Sequence, residues 1–203
     1  MLEIRAIVLT TLFLTSTLVS ANTVDMNADE FRYWRTYVQL QNAPKLKPLT
    51  ENAKRAQIAK HLKISPAQLS EAIAKGEQHG EGIEQRTAEA ISKALETTML
   101  KGRIQDLTIN TDTDQAVAFI KWTARSPLDF DKEACWAAWA VGEAGHIVNI
   151  LVLWAVNAAD ATVFSAKVGR TAFTRIHKNR INSFASTRYI KMFEDVKRGP
   201  EEH

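Results

Sequence analysis

The chain has 203 residues, 26 basic against 23 acidic side chains, a formal charge of +3 and 45% hydrophobic residues. That balance excludes a disordered or low-complexity chain, and the length suits one sizeable core or two small ones. A single cysteine, Cys135, excludes an internal disulfide and the multi-thiolate sites of structural zinc.

The first feature along the chain is an address. Met1 to Arg5 form a short start, fourteen uncharged residues follow from Ala6 to Val19, and Val19-Ser20-Ala21 puts small residues where a signal peptidase cuts. The pattern predicts a signal peptide over residues 1–21, cleaved after Ala21, and export to the periplasm or the extracellular space. Fourteen residues fall short of the ~20 that a spanning helix needs, and no later stretch is long enough, so no transmembrane segment is expected after cleavage.

Residues 22–101 read as a helical unit, residues 102–198 as an α+β sheet domain and residues 199–203 as a flexible tail. In the first unit Asp29 to Gln41 is a helix with Phe31, Trp34 and Val38 on one stripe, ended by Pro44 and Pro48. Thr50 to Leu62 is a second helix. Ser65 to Lys75 is a third, with Ser65 and Gln68 as a capping box, Pro66 at the first helical position and Gly76 as its stop. A fourth runs from Ile83 to Met99.

After Gly102 the period changes. Ile104 to Asn110 alternates apolar and polar residues, a polar turn follows, and Ala116 to Thr123 makes the second arm of a hairpin. Asp131 is placed to cap a helix ending near Gly142, Ile147 to Val156 is a long apolar strand, and Phe164 to Val168 a fourth strand. Ile181 to Lys197 recurs at helical spacing. The order is ββαββα, and the expected fold is a helical N-terminal unit followed by a four-stranded antiparallel sheet with helices. Ala134 to Val141 is apolar all round, which marks a buried helix, and the Ile147 strand calls for cover on both faces. The N-terminal unit or the last helix is expected on the second face; failing both, a partner protein would cover it, which makes an oligomer one outcome.

The segment from Gln57 to Glu77 resembles the helix-turn-helix of phage-repressor-like DNA-binding domains. Ala59 fits the small residue where two helices cross, and Leu62, Ile64, Leu69 and Ile73 fit the core positions. The segment departs from the family at Lys63, where a turn glycine is common, and its second helix offers Gln68, Ser70 and Lys75 but no arginine, beside Glu71. The resemblance implies a cytoplasmic DNA-binding regulator whose start has been misassigned. The export signal and the missing arginine argue against nucleic acid as the partner.

Candidate chemistry is sparse. Cys135 sits among Ala134, Trp136 and Trp139 and reads as a buried structural thiol, although a thiol hydrolase is a third reading. His61, His79, His146 and His177 are scattered, and Asp112 and Asp114 lack the further ligands of a calcium loop. No cofactor is implied. Charge is uneven: residues 104–160 hold eight acidic against three basic side chains, residues 161–200 nine basic against two acidic. That asymmetry predicts contact between the two segments, or a face for an anionic partner made by Arg170, Arg175, Lys178, Arg180, Arg188 and Lys191. Lys197 and Arg198 are expected at a helix C-terminus, and Tyr33 and Tyr37 as exposed aromatic rings. The sequence thus predicts an exported, non-enzymatic binding protein whose partner is a protein or an anionic component of the cell envelope.

Overall fold

The computed structural model describes residues 26–181 and 183–199, the side chain of Ser183 excepted. The expected signal peptide, and all of the expected tail beyond Gly199, lie outside the described residues. Four helices come first: α1 (Ala28–Leu40), α2 (Glu51–Leu62), α3 (Pro66–His79) and α4 (Ile83–Leu95). There follow β1 (Ile104–Asn110), β2 (Ala116–Thr123), α5 (Phe130–Ala144), β3 (Val148–Val156), β4 (Thr162–Gly169), the short helices α6 (Arg170–Phe173) and α7 (Ser183–Tyr189), and β5 (Glu194–Arg198). This is the expected α+β class, with the helical part first.

Local chemistry sets the helix starts. The Asn27 side chain accepts from the Asp29 and Glu30 amides while the Glu30 carboxylate accepts from the Asn27 N–H, closing a capping box at α1. Ser65 and Gln68 form the expected box at α3, with Pro66 first in the helix. Gly76 is not the stop. The helix runs on to His79, and a Cβ at position 76 would lie 2.1 Å from the Trp34 ring, so glycine is there to let α1 approach α3. On α5, Asp131 lies in the first turn, not at the cap.

The sheet has five strands in the order β1-β2-β3-β4-β5. Two expectations are corrected. β2 and β3 run parallel, so the sheet is mixed: a parallel pair needs a long crossover, and α5 supplies it. The expected last helix, Ile181 to Lys197, breaks after Tyr189 into a 3₁₀ turn, and its remainder pairs with β4 as the edge strand β5. Lys197 and Arg198 therefore sit on a strand. Arg198 reaches Asp131 on α5 at 2.5 Å, so one ion pair joins the basic and acidic segments.

One face of the sheet is the core. Ile109, Ala118, Ile120, Trp122, Leu151, Leu153, Ala155, Phe164, Ala166 and Val168 pack against the small residues of α5 and against Ile91 and Leu95 of α4. Inside it Glu133 is fully buried, paired with Arg103 and accepting from the Trp122 indole N–H at 2.8 Å. Arg103 also donates to the Met99 and Thr123 carbonyls, so neither charge is left without partners. A second cluster fills the space between α1, α2 and α3, and a third, Met26, Phe31, Ile83, Ala116 and Ile147, joins the helices to the foot of the sheet.

The opposite face of the sheet departs from expectation. Val117, Phe119, Ile150, Val152 and Trp154 belong to none of the three clusters and stay partly exposed, with the Phe119 and Trp154 rings stacked at 5.8 Å. Among the described residues no helix takes up the expected position over it.

Candidate functional site

The six basic residues singled out in the sequence stand in different surroundings. Arg170 is half-buried: its guanidinium donates to the Val148 carbonyl at 2.7 Å and lies against Phe173, tying α6 to β3. Burial pulls its pKa below the usual guanidinium value, against the opposing pull of Asp29. Arg175, Arg180 and Lys191 are exposed, and Arg188 lies over the Phe184 ring at 4.5 Å. Among the described residues Arg175, Lys178, Arg180, Arg188 and Lys191 have no ion-pair partner.

Lys178 lines a cleft. A cavity of about 790 Å³ opens between the C-terminal turns of α4 and α5 and the segment that follows α6. The α4 side contributes Lys93, Ala94 and Thr97, α5 contributes Trp139, Gly142 and Glu143, and the third wall carries Thr174, His177, Lys178 and Asn179. Lys178 Nζ stands 4.8 Å from the centre of the Trp139 ring and 3.5 Å from Thr97 Oγ1. Trp136 meets Trp139 edge to face at 5.6 Å and braces it from its own helix. Gly142 is what lets the third wall come so close. A Cβ there would lie 2.8 Å from the Phe173 carbonyl oxygen, and any side chain would push the segment after α6 outward.

The cleft has a size typical of small-molecule sites, an indole platform, two ammonium groups and an imidazole, with Glu143 as its one carboxylate. Such a set recognises an anion, with the Trp139 ring holding the Lys178 ammonium at the cleft wall. Lys93 and His177 stand eighty-four residues apart in sequence, and no local pattern joins them. Trp139 carried a signal, since a large aromatic on an otherwise alanine-rich helix needs a partner at its end, but the uniform apolarity of Ala134 to Val141 points to core.

Other sequence-level candidates resolve differently. Cys135 is fully buried, its Sγ 3.8 Å from the Ser186 carbonyl, and burial pushes its thiol up to about 12. Tyr37 is not an exposed ring: it is 7% exposed and donates to the Glu51 carboxylate at 2.5 Å. Tyr33 is partly exposed beneath the Arg32 guanidinium at 5.2 Å. No group of three or more His, Cys, Asp or Glu side chains suited to a metal occurs among the described residues, and no helix there is long and apolar enough to cross a membrane.

The turn between α2 and α3 is a tight left-handed cap. Lys63 takes the left-handed conformation (φ 58, ψ 40) that a turn glycine would take, and the Ile64 N–H donates to the Ala59 carbonyl at 3.0 Å. Ala59, Leu69 and Ile73 are buried where the helices meet. On α3, Gln68 is used in the cap, and Lys75 is held by Glu30 at 2.6 Å and Glu71 at 3.1 Å. Neither a family model, nor a curated protein, nor a solved structure matches this chain.

Proposed function

We propose that this is an exported, non-enzymatic binding protein that takes an anionic saccharide of the cell envelope into the cleft between α4, α5 and the segment after α6. The observation that carries the reading is Lys178 poised over the Trp139 indole, with Lys93 across the same cavity. The carboxylate or sulfate of such a sugar pairs with the two lysines, and its hydroxyls meet the polar side chains of Thr97, Thr174 and Asn179 in the walls. The concavity favours a chain end or a single residue over a flat membrane surface. Export rests on the sequence: the fourteen-residue apolar run and the small residues at Val19 and Ala21.

Two measurements test the reading. The intact mass and N-terminal sequence of the protein from fractionated cells are expected to show a chain that starts at Asn22 outside the cytoplasm. Calorimetric titration with acidic and neutral oligosaccharides is expected to give binding of the acidic ones alone. That binding should weaken with salt and be lost in the Lys93→Ala, Lys178→Ala double variant. Equal binding of neutral sugars, or retention in the double variant, sinks it.

The turn geometry at Lys63 favours a second reading, a cytoplasmic DNA-binding regulator. It requires a full-length chain in the cytosol and salt-dependent binding to duplex DNA that falls when Gln68 and Lys75 are replaced. The pairing of Lys75 with two carboxylates weighs against it.

A further inference from the structure

The uncovered face of the sheet is ordered in rows, because residues directly opposite in a ladder share a face. The register puts Asp106, Lys121, Trp154, Ser165 and Lys197 in one row across all five strands. Thr108, Phe119, Val152, Lys167 and Glu194 make the next, and Asn110, Val117, Ile150 and Gly169 a third. The middle of the face is apolar. Asp106 stands on its β1 edge and Lys197, with Glu194 one row away, on its β5 edge, and neither Asp106 nor Lys197 has an ion-pair partner among the described residues.

We infer that this face binds a second copy of the chain, the two sheets packed face to face about a two-fold axis that runs along β3. Such an axis keeps each row at its own height and reverses its order. Asp106 then meets Lys197 of the other copy, Phe119 meets Lys167, and Val117 meets the space over Gly169. Ile150, Val152 and Trp154 on the central strand meet their own copies. The perpendicular in-plane axis fails on charge: it sets Lys167 against Lys167 and Glu194 against Glu194. Packing of aligned sheets is an ordinary way to bury one face of an antiparallel or mixed sheet.

The size of the face sets the strength. Five strands and three rows span roughly 24 Å by 20 Å from ordinary strand spacings, about 480 Å² in projection on each copy. That matches the large functional patches of monomers, and the total of about 960 Å² falls just under the ~1,000 Å² that lasting interfaces clear, so the dimer is weak, reversible and dependent on concentration.

Sedimentation velocity of the protein recovered from cells, from low to high micromolar concentration, tests this. The expected result is a shift from the monomer mass of the recovered chain to twice that mass. Val152→Glu is expected to hold the protein at monomer mass with an unchanged circular dichroism spectrum. Asp106→Lys and Lys197→Asp should each weaken the dimer roughly tenfold, since each contact occurs twice and becomes repulsive. The Asp106→Lys, Lys197→Asp double variant should recover the parent affinity, which a merely destabilised fold would not. A monomer at every concentration overturns the inference and leaves the face to a partner of another sequence. So does a dimer indifferent to Val152→Glu, or a double variant no better than the singles.

Discussion

Cys135 and Glu133 lie two residues apart on α5, both fully buried, and the core treats them in opposite ways. Glu133 is met there by two donors, the Arg103 guanidinium and the Trp122 indole N–H. Cys135 enters as a neutral thiol, since burial, outweighing the hydrogen bond toward Ser186, pushes its pKa from 9.0 to about 12. The sign of the consequence follows from proton counting. Above pH ~9 the unfolded thiol ionises while the folded one keeps its proton, so folding binds a proton and stability falls as pH rises. A difference of about three units amounts to no more than ~4 kcal/mol, fully expressed only above the folded pKa. The parent and Cys135→Ala, unfolded in urea at a series of alkaline pH values, should therefore converge in stability as pH rises from about 9. A thiol reagent at neutral pH should leave the native protein unlabelled until denaturant is added. A parallel pH dependence in the two proteins, or rapid native labelling, contradicts the burial argument.

Gly76 shows how one element constrains another. Alanine in a helix interior is ordinarily better than glycine by about 1 kcal/mol. At position 76 the new methyl group would fall within van der Waals overlap of three atoms of the Trp34 ring, which is itself packed edge to face on Phe31. Overpacking of that kind costs about 1–3 kcal/mol, so Gly76→Ala is expected to lower stability in urea unfolding despite the gain in propensity. A more stable variant would show that α1 and α3 yield easily. The same residue marks what a single sequence conveys. A glycine after an amphipathic run reads as a stop, and only the approach of a helix forty residues earlier makes it a contact. The Ser65–Gln68 capping box, Pro66 and the alternation of β1 and β2 are local, and so they were legible; the equally local box of Asn27 and Glu30 was not read, because the first helix was expected to begin at Asp29. Residues 190–198 were not: Ile190, Phe193 and Val196 recur every three residues, which suits a helix, and the strand there exists only because β4 offers an edge. Whether β2 and β3 run parallel is set by the path of α5, and that path leaves no mark on either strand. Of the cleft, Lys178 was anticipated through the excess of basic residues, whereas Lys93 and Trp139 join it only through the packing of α4 on α5.

The helical part and the sheet part hold together as one molecule through a small set of contacts at the foot of the sheet. Met26 and Phe31 from the N-terminal end, Ile83 at the start of α4, and Ala116 and Ile147 at the ends of β2 and β3 are buried together. Around them the Thr111 hydroxyl donates to the Glu84 carboxylate and the Gln39 amide donates to the Asp112 carbonyl at 3.4 Å. α4 strengthens the joint. It follows the α3 helix in the chain, yet Ile91 and Leu95 pack into the sheet core, so neither part can unfold without exposing apolar surface of the other. Cooperativity follows from that geometry: a subunit that loses stability on its own must first expose the shared cluster to water. Calorimetry is expected to give a single transition whose calorimetric and van't Hoff enthalpies agree. Phe31→Ala, which removes a ring with 0% exposure from the joint, should cost about 3–5 kcal/mol. In that variant, hydrogen-exchange protection should fall together in α1–α3 and in β2–β3. Loss of protection confined to the helices, or two separate heat-capacity peaks, would instead make the joint a docking contact between two independent folding units.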